Sequence, residues 1–451
     1  MARALLFLLC SIASTAWAAA SAVTVSPQRS SIAGGESQVF AVRFFDALGH
    51  PSVGESVVFS NDACGFFSNG QFATTAVTDA TGLAQATFTA RPQGITCWVT
   101  VTAGVSVRFD VLTYSPVNAY LQVTTTPAQP RPGRPFTVEV RPKVGAYDLY
   151  NMDITAHVTS GTASASIAPA SGNSGQAGAV MFNVTPDNRL GDYTIDLGFR
   201  DRVEHVTMAA PANPWQDMWW AGAGESGWGM SVIQHGDVLF AVIYAYDAAG
   251  KPTWYVMPGG AWDSAHARFT GSVYQPQGSP YSAYDATRFQ PGAPVGTMTI
   301  ATGGFDSATF DYTIAGLSGT KTITRMDFGS SDGLVHPAVA DMWWGGSTQD
   351  GWGIAFLQQL GAVFGVWFTY DAGGAPTWFV MPTGNWIDTG TWAGPIYQTS
   401  GAPWLGRPYD ALQFRATDVG TYRVVFNGNV ATFTYTINGQ AGTLQLSKQP
   451  F

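Results

Sequence analysis

The chain has 451 residues and a formal net charge of −9, with 46% hydrophobic, 13% aromatic and only 11% charged residues. The acidic balance disfavours nucleic acid and an anionic membrane surface as partners. The 52 glycines and the high aromatic content are typical of an all-β protein, and the length predicts several domains of ordinary size.

Residues 1–18 have the pattern of a secretory signal peptide. Arg3 supplies the positive start, an apolar stretch follows over residues 5–13, and Ala16 and Ala18 form a small-x-small cleavage site. The apolar stretch is too short to span a bilayer. We therefore expect an exported protein, extracellular or on the cell surface, without a transmembrane helix.

The cysteine count predicts one disulfide. Cys10 lies within the signal segment, so the exported chain keeps Cys64 and Cys97. An even pair in an oxidising compartment is most simply a single bridge.

Short alternating runs separated by turn clusters recur every eight to twelve residues over residues 19–114. This spacing predicts a β-sandwich. Residues 115–212 show the same spacing after a Pro-rich stretch at 127–135, and they predict a second Ig-like sandwich.

One segment of the first sandwich has a more specific signature. Residues 78–84 read Thr-Asp-Ala-Thr-Gly-Leu-Ala, with Asp79 and Gly82 suited to a turn before the next strand. This segment resembles the bacterial Ig-like (Big-1) repeats of the invasin and intimin adhesins. The resemblance implies a role in surface adhesion. In that family an outer-membrane barrel usually precedes the repeats, and the resemblance does not extend to it, so no mode of surface attachment is implied.

The C-terminal half is one unit duplicated. Asp217–Trp220 recurs as Asp341–Trp344, and Gly227-Trp-Gly229 recurs as Gly351-Trp-Gly353, at a constant offset of 124 residues. The units occupy residues 213–328 and 338–451, joined by a linker at 329–337. Each predicts seven or eight antiparallel strands with short turns, which form either a sandwich or a closed up-and-down barrel. The fold class predicted for the whole chain is therefore all-β, with two Ig-like sandwiches followed by two barrel-like repeats.

One strand of each unit is apolar on both faces. In residues 238–246 one face is bulky and the other is mostly smaller, and residues 362–370 repeat the pattern. A strand with one wet face would alternate with polar residues. We expect this strand to be buried on both sides, or to pack against the other unit.

A Trp near the start of a unit and a cation in its last strand resemble the calycin barrels, the lipocalins and avidins. In that family the cation packs across the Trp where the first and last strands meet. The closing pairs that the resemblance implies are Trp228 with Arg325 and Trp352 with Lys448. This chain has Ser226 and Asp350 where the family has Gly, which is a departure from the pattern.

Catalytic motifs are missing from the sequence. There is no His-Glu-x-x-His and no Gly-x-Ser-x-Gly, and the six histidines do not recur at equivalent positions of the duplication. Glu225 is the one Glu beyond residue 204, which disfavours a pair of catalytic carboxylates. We expect no catalytic residues, no metal site and no cofactor.

Binding is the favoured function, and the paired tryptophans are its candidates. Indole faces stack on sugar rings or flat apolar ligands, and nearby amides orient them. The candidate ligand-binding residues are Trp219, Trp220, Trp343, Trp344, Gln234 and Gln358. Adjacent strand residues point to opposite faces, so one Trp of each pair is expected in the core.

Several functions remain open at this level. The favoured one is adhesion through the C-terminal repeats, with a host or neighbouring cell surface, or a polysaccharide, as partner. The alternative is a soluble secreted binder of a small apolar ligand or glycan. An outer-membrane barrel and an enzyme are less favoured.

Overall fold

The structure, a computed structural model, describes residues 19–92, 95–128, 130–330, 334–403 and 405–451. The signal peptide expected at residues 1–18, with Cys10, lies outside the described residues. The predicted all-β class is confirmed. Short 3-10 helices are the only helices within the described ranges, and they are Pro116–Asn118, Ala223–Glu225, Ala286–Arg288 and Ala411–Gln413. None of the helices in these ranges has the length and apolarity needed to cross a membrane.

The first sandwich consists of nine strands. They are β1 Ser21–Thr24, β2 Arg29–Ala33, β3 Ser37–Phe45, β4 Ser56–Asn61, β5 Gly65–Phe67, β6 Ala73–Val77, β7 Leu83–Ala90, β8 Ile95–Ala103 and β9 Val105–Tyr114. One sheet has the order β1-β3-β7-β5 and the other β2-β9-β8-β4-β6. Phe40, Phe59, Phe88 and Phe109 fill the space between the sheets, and all four are fully buried.

The predicted disulfide is confirmed. Cys64 follows β4 and Cys97 lies in β8, and the bridge joins them across 33 residues with a Cα–Cα distance of 6.2 Å. Both cysteines are buried in the core of the first sandwich.

Reduction of this bridge is expected to destabilise the first sandwich by about 3–4 kcal/mol, because a crosslink over a loop of this length restricts the unfolded chain. Calorimetry with and without a reductant would measure the shift. Only the transition of the first sandwich should move. A Cys64→Ser/Cys97→Ser variant that is insensitive to reductant provides the control, and a barrel transition that shifts equally would contradict the prediction.

The second sandwich also consists of nine strands. They are β10 Ala119–Thr126, β11 Phe136–Val144, β12 Tyr147–Asp148, β13 Asp153–Ser160, β14 Ala165–Ala168, β15 Ser171–Asn173, β16 Val180–Pro186, β17 Tyr193–Phe199 and β18 Arg202–Met208. The sheet order is β10-β11-β16-β14, with β12 paired to β11, facing β15-β13-β17-β18. The expectation of a second sandwich, made from strand spacing, agrees with this architecture.

The two sandwiches share side chains at their junction. Leu112 and Tyr114 of the first belong to the buried core of the second. Arg200 forms an ion pair with Glu36 at 2.6 Å, and its guanidinium lies over the Tyr114 ring. This mixture of apolar packing and charge joins the two domains closely.

The first repeat forms a nine-stranded antiparallel sheet. Its strands are β19 Asp217–Trp220, β20 Gly229–His235, β21 Val238–Tyr246, β22 Pro252–Met257, β23 Ala261–Trp262, β24 Arg268–Val273, β25 Gly296–Thr302, β26 Ser307–Ile314 and β27 Leu317–Arg325. β19 pairs with both β20 and β27, so the first and last strands meet. Val256 and Tyr274 exchange two backbone hydrogen bonds across the remaining seam, between β22 and β24.

The second repeat follows the same order and closes fully. Its strands are β28 Asp341–Trp344, β29 Gly353–Gln359, β30 Ala362–Tyr370, β31 Pro376–Met381, β32 Asn385–Trp386, β33 Thr391–Ser400, β34 Arg415–Asn427, β35 Val430–Ile437 and β36 Gln440–Lys448. β31 pairs with β33 at Phe379 and Val380, which completes an eight-stranded barrel with β32 outside the ring. We call the two repeats the first and second barrels.

Large side chains fill the barrel interiors. In the second barrel Trp367 of β30 reaches Phe433 and Tyr435 of β35, at ring-centroid distances of 5.4 and 4.9 Å. β30 and β35 are not neighbours in the sheet, so these contacts cross the barrel. The equivalent space in the first barrel holds buried Met230, Met257, Phe269 and Phe310.

The outer, bulky face of β21 packs against the other barrel. Tyr244 and Tyr246 lie on Trp378, with centroid distances of 5.6 and 5.8 Å. Reciprocally, Trp254 lies on Phe368 at 5.1 Å. The doubly apolar strand is therefore buried as expected, with its smaller face toward the barrel interior and its bulky face toward the partner barrel.

The indole hydrogen bonds follow the same two-fold pattern. Nε1 of Trp254 donates to the carbonyl of Thr369 at 2.8 Å, and Nε1 of Trp378 donates to the carbonyl of Ala245 at 3.2 Å. Both pairs of residues are related by the offset of 124. The two barrels thus contact each other through equivalent surfaces, as the two subunits of a symmetric dimer do.

Candidate ligand-binding site between the two barrels

Two of the predicted ligand-binding tryptophans lie inside the barrels. Trp219 and Trp343 are 1% and 0% exposed. Their indole nitrogens donate to the carbonyls of Trp215 and Val339, at 3.0 and 2.9 Å. A side chain in this position supports the barrel core and presents no face to a ligand from solution.

The two predicted glutamines hold the chain at the entrance to each barrel. Oε1 of Gln234 accepts a hydrogen bond from the amide of Trp215, and Oε1 of Gln358 accepts one from the amide of Val339, both at 2.9 Å. Nε2 of Gln234 donates to the carbonyl of Gly236. Their amide groups are used within the protein.

The other two predicted tryptophans keep some exposure. Trp220 and Trp344 follow Trp219 and Trp343 on the opposite strand face and are half-buried. The structure therefore separates the six predicted residues, burying two tryptophans and assigning both glutamines to backbone contacts, and does not collect them into one site.

The closing cations contact a different Trp from the expected one. The Arg325 guanidinium lies 4.6 Å from the Trp219 ring, and Lys448 Nζ lies 5.6 Å from the Trp343 ring. The reason is strand order, since the strand that meets β27 is β19 and not the strand that begins after Trp228.

Trp228 has a neighbouring contact of its own. Its Nε1 donates to Glu225 Oε2 at 3.0 Å, and Lys321 Nζ lies 5.8 Å from its ring. Trp352 packs inside the second barrel, 6.4 Å from Trp367 between ring centroids. Arg325 therefore pairs with Trp219 and not with Trp228 as the resemblance implies. Lys448 likewise pairs with Trp343 and not with Trp352.

Asp217 is the centre of a buried polar junction. Arg325 Nη1 lies 3.1 Å from its Oδ2, and Gln359 of the second barrel donates to its Oδ1 at 2.9 Å. Arg131 of the second sandwich reaches Oδ2 at 3.4 Å, so three domains meet on one carboxylate. Burial lowers the pKa of Arg325 to about 10, opposed by the charge of Asp217, and the guanidinium stays charged at neutral pH.

The same junction recurs with different side chains in the second barrel. Asp341 accepts from His235 at 2.9 Å and lies 3.5 Å from Lys448 Nζ. His235 occupies the position equivalent to Gln359, so each barrel sends one side chain to the aspartate of the other. The His235 ring also stacks on Phe451 at 4.0 Å.

A cleft of about 840 Å³ lies between the barrels and is lined from both. Its volume falls in the range of small-molecule sites, roughly 300–1,000 Å³. The lining includes the equivalent turns at 247–253 and 371–377, together with Gln275, Gln277, Gln398, Ser400, Thr417 and Asn438. This cleft is the candidate functional site.

The cleft lies at the end of the barrels away from the second sandwich. The second sandwich contacts Asp217 of β19. Asp217 lies opposite Val232 of β20, which in turn lies opposite Ala241 of β21, so these three residues are at the same height in the sheet. The cleft begins at Asp247, six residues further along the same strand direction, or about 20 Å. A ligand in the cleft would therefore be presented away from the Ig-like domains.

Much of the hydrogen-bonding capacity of the cleft is unused by the protein. Within the described part of the chain, the side chains of Gln398, Thr377, Thr417 and Asn438 form no hydrogen bond. Thr377 is only 5% exposed, and its hydroxyl nonetheless borders the cleft. A buried polar group without a protein partner is costly, so the buried Thr377 hydroxyl requires water or a ligand. Gln398 is half-buried and Thr417 and Asn438 are exposed, so their polar groups are accessible to a ligand.

The aspartates of the cleft are partly used in turns. Asp247 Oδ1 accepts from the amides of Ala249 and Lys251, and Asp371 Oδ1 accepts from the amide of Ala375. This agrees with the sequence interpretation of both as turn residues. The sequence signal for the cleft is the repetition of these turns in both units, together with Gln275 and its counterpart Gln398. Repetition alone does not distinguish a binding site from a structural turn that occurs twice.

A loop of each barrel covers the other barrel. Tyr409, in the loop after β33, is 8% exposed and lies against Gly227 of the first barrel. Burial raises its pKa to about 12, and its hydroxyl has no hydrogen-bond partner among the described residues. Tyr246, which borders the same glycine, donates to the carbonyl of Gly227 at 2.6 Å.

These two tyrosines should respond oppositely to loss of the hydroxyl. Tyr409→Phe removes an unpaired buried hydroxyl and is expected to raise the free energy of unfolding by about 1 kcal/mol. Tyr246→Phe removes a satisfied donor and is expected to lower it by about 1 kcal/mol. Urea denaturation of both variants measures the difference, and equal losses in the two would show that the Tyr409 hydroxyl is paired.

Several solved structures resemble this chain. The adhesin InvE of Yersinia pseudotuberculosis is 17% identical, with 66% of this chain and 92% of that chain covered and a TM-score of 0.25. Invasin, a bacterial integrin-binding protein, is 13% identical, with 84% and 76% covered and a TM-score of 0.21. The Escherichia coli adhesin FdeC is 13% identical, with 68% and 96% covered and a TM-score of 0.25.

Domains of intimin are also among the similar structures. Likenesses at these TM-scores carry no inference about the ligand of this chain. No family model matches the chain, and no curated protein matches it.

Proposed function

We propose that this protein is an exported, adhesion-type binding protein in which two Ig-like domains present a pair of fused β-barrels to a ligand on a cell surface. The observation that carries the proposal is the cleft between the barrels, which is ligand-sized, lined by both repeats and directed away from the second sandwich. The adhesin-type signature at residues 78–84 supports the same role for the first sandwich.

The alternative of a small apolar ligand held inside a barrel has no support from the interior. Trp367, Phe356 and Phe433 occupy the second barrel and are at most 1% exposed. Lipid-binding barrels need an open interior, whereas these side chains pack against one another across the barrel. These filled interiors support a binding site on the surface shared by the two barrels.

Blocking each end of the molecule tests where binding occurs. Lys251→Cys places a single thiol at the cleft, and Val203→Cys places one on the exposed strand β18 of the second sandwich. Each is coupled to a 5-kDa polyethylene glycol (on the order of small-domain size), and adhesion of protein-coated beads to cells is counted. Cys64 and Cys97 are paired with each other and do not react.

We expect the polymer at residue 251 to abolish adhesion and the polymer at residue 203 to leave it unchanged. Equal adhesion after both modifications would place binding outside the barrels. Failure of the unmodified protein to bind any cell or envelope preparation better than its heat-denatured form would overturn the proposal.

A further inference from the structure

The lining of the cleft limits the chemistry of its ligand. Its polar groups are mostly uncharged hydroxyls and amides, and its ionisable side chains are Asp247, Asp371 and Lys251. An anionic ligand would meet two carboxylates against one ammonium group. An apolar ligand would leave the hydroxyls and amides buried without partners.

Apolar surface in the cleft is present in small flat pieces. Pro252 and Pro376 occupy equivalent positions in the two barrels, and Pro276 and Val419 add to them. No aromatic ring is among the described lining residues. This combination of small apolar faces with neutral donors and acceptors matches a ligand that carries both C–H faces and hydroxyl groups.

The cleft also presents its groups twice. Asp247 and Thr253 of the first barrel correspond to Asp371 and Thr377 of the second, and Gln275 has a counterpart in Gln398. Gln275 donates to the Thr253 hydroxyl at 3.0 Å, which fixes the amide plane on that side. A site with repeated groups is suited to a ligand with a repeated unit.

We infer that the cleft binds an uncharged oligosaccharide, with consecutive sugar residues contacted by equivalent side chains of the two barrels. This inference rests on the proposed function and specifies its ligand. Gln398, Thr377 and Asn438 bind sugar hydroxyls directly, because their side chains are not engaged by other described residues. The prolines pack against the C–H faces of the rings.

The test uses the full exported chain and linear glucose, mannose and galactose oligomers of two to six residues, with titration calorimetry. Binding is expected to strengthen as the oligomer lengthens, since both barrels are then engaged. Affinity should be unchanged between about 50 and 500 mM NaCl, because screening affects only charged partners.

Variants of the lining identify the site. Gln398→Ala and Thr377→Val should each weaken oligosaccharide binding about three- to tenfold, the usual effect of losing one hydrogen bond to a neutral group. Gln445→Ala is the matched control, since Gln445 is exposed on β36 outside the cleft. Thermal melting curves should coincide for all four proteins, so that a loss of binding is not a loss of folding.

Each other outcome separates the inference from the proposed function. If the polymer at residue 251 abolishes cell adhesion but no oligomer binds, the ligand is of another class and the inference is overturned while the proposed function stands. Binding that falls steeply with salt, or that is unaffected by Gln398→Ala and Thr377→Val, also overturns it. If oligosaccharides bind but the protein does not adhere to any cell, the inference about the cleft stands and the proposed function is overturned.

Discussion

Arg325→Met should lower the free energy of unfolding of the barrels by about 3–5 kcal/mol. The Asp217 carboxylate would then remain buried, at 3% exposure, without the guanidinium that contacts it at 3.1 Å. Removal of one partner of a buried ion pair costs this much because the other charge is left in a low dielectric. Arg325 also donates to the carbonyls of Phe305 and Pro214, and these bonds are lost as well.

The second barrel provides a matched control for this prediction. Lys448 occupies the equivalent place but lies 3.5 Å from Asp341 with a side chain that is 23% exposed. Lys448→Met is therefore expected to cost less than about 1 kcal/mol. Calorimetric unfolding of both variants gives the comparison, and equal losses would contradict the assignment of Arg325 as the key closing residue.

The double variant Asp217→Asn/Arg325→Met examines the same junction further. With the carboxylate neutralised, much of the loss should be recovered, because the buried charge that had lost its nearer cationic partner is removed. Arg131 and Gln359 would still contact position 217 from the neighbouring domains. Recovery of less than about 1 kcal/mol would show that lost packing, and not the unpaired charge, causes the effect.

The repeat allowed much of the C-terminal fold to be predicted from the sequence. The constant offset of 124 identified two equivalent units, and the doubly apolar β21 predicted burial on both faces. Both follow from physics that is local in sequence, since strand alternation and internal repetition need no knowledge of the partner. The antiparallel barrel also follows, because edge strands of such a sheet must be covered or joined.

Closure of the barrels depended on information that the pattern lacks. The first strand, Asp217–Trp220, has four residues, too few for alternation to show. From sequence alone, its Trp-Trp pair therefore indicates a ligand contact, and the longer strand after Trp228 is the one predicted to meet the last strand. The register of β19 with β27 places Trp219 opposite Arg325 and so determines which Trp contacts the closing cation. This register is a property of the folded sheet.

The cleft could not be assembled from sequence for a related reason. Its lining comes from several separate turns and strand ends of both units. Each turn has its own explanation, as Asp247 shows by binding the amides of Ala249 and Lys251. Only the packing of one barrel against the other brings these turns together. It leaves amides such as that of Gln398 without a hydrogen-bond partner among the residues that the structure describes.

Trp254→Ala tests that packing and is expected to cost about 3–5 kcal/mol, the usual effect of removing a buried aromatic side chain. Trp254 is 1% exposed and belongs to the first barrel, yet its ring contacts Phe368 and Tyr370 of the second. The carbonyl of Thr369 would also lose its hydrogen bond. The measurement is calorimetry of the whole chain.

Because the lost contacts are between barrels, the variant should also change cooperativity. In the natural protein we expect both barrels to unfold in one transition, since a single buried core extends through them. Trp254→Ala should separate this into two transitions, while the sandwich transitions stay in place. Trp98→Ala is the matched control: Trp98 is 45% exposed on the first sandwich and its ring packs under Arg108, so less than about 1 kcal/mol is expected. If Trp254→Ala lowered the barrel transition without dividing it, the barrels would be joined mainly by the reciprocal contacts at Asp217 and Asp341, and the aromatic interface would be secondary.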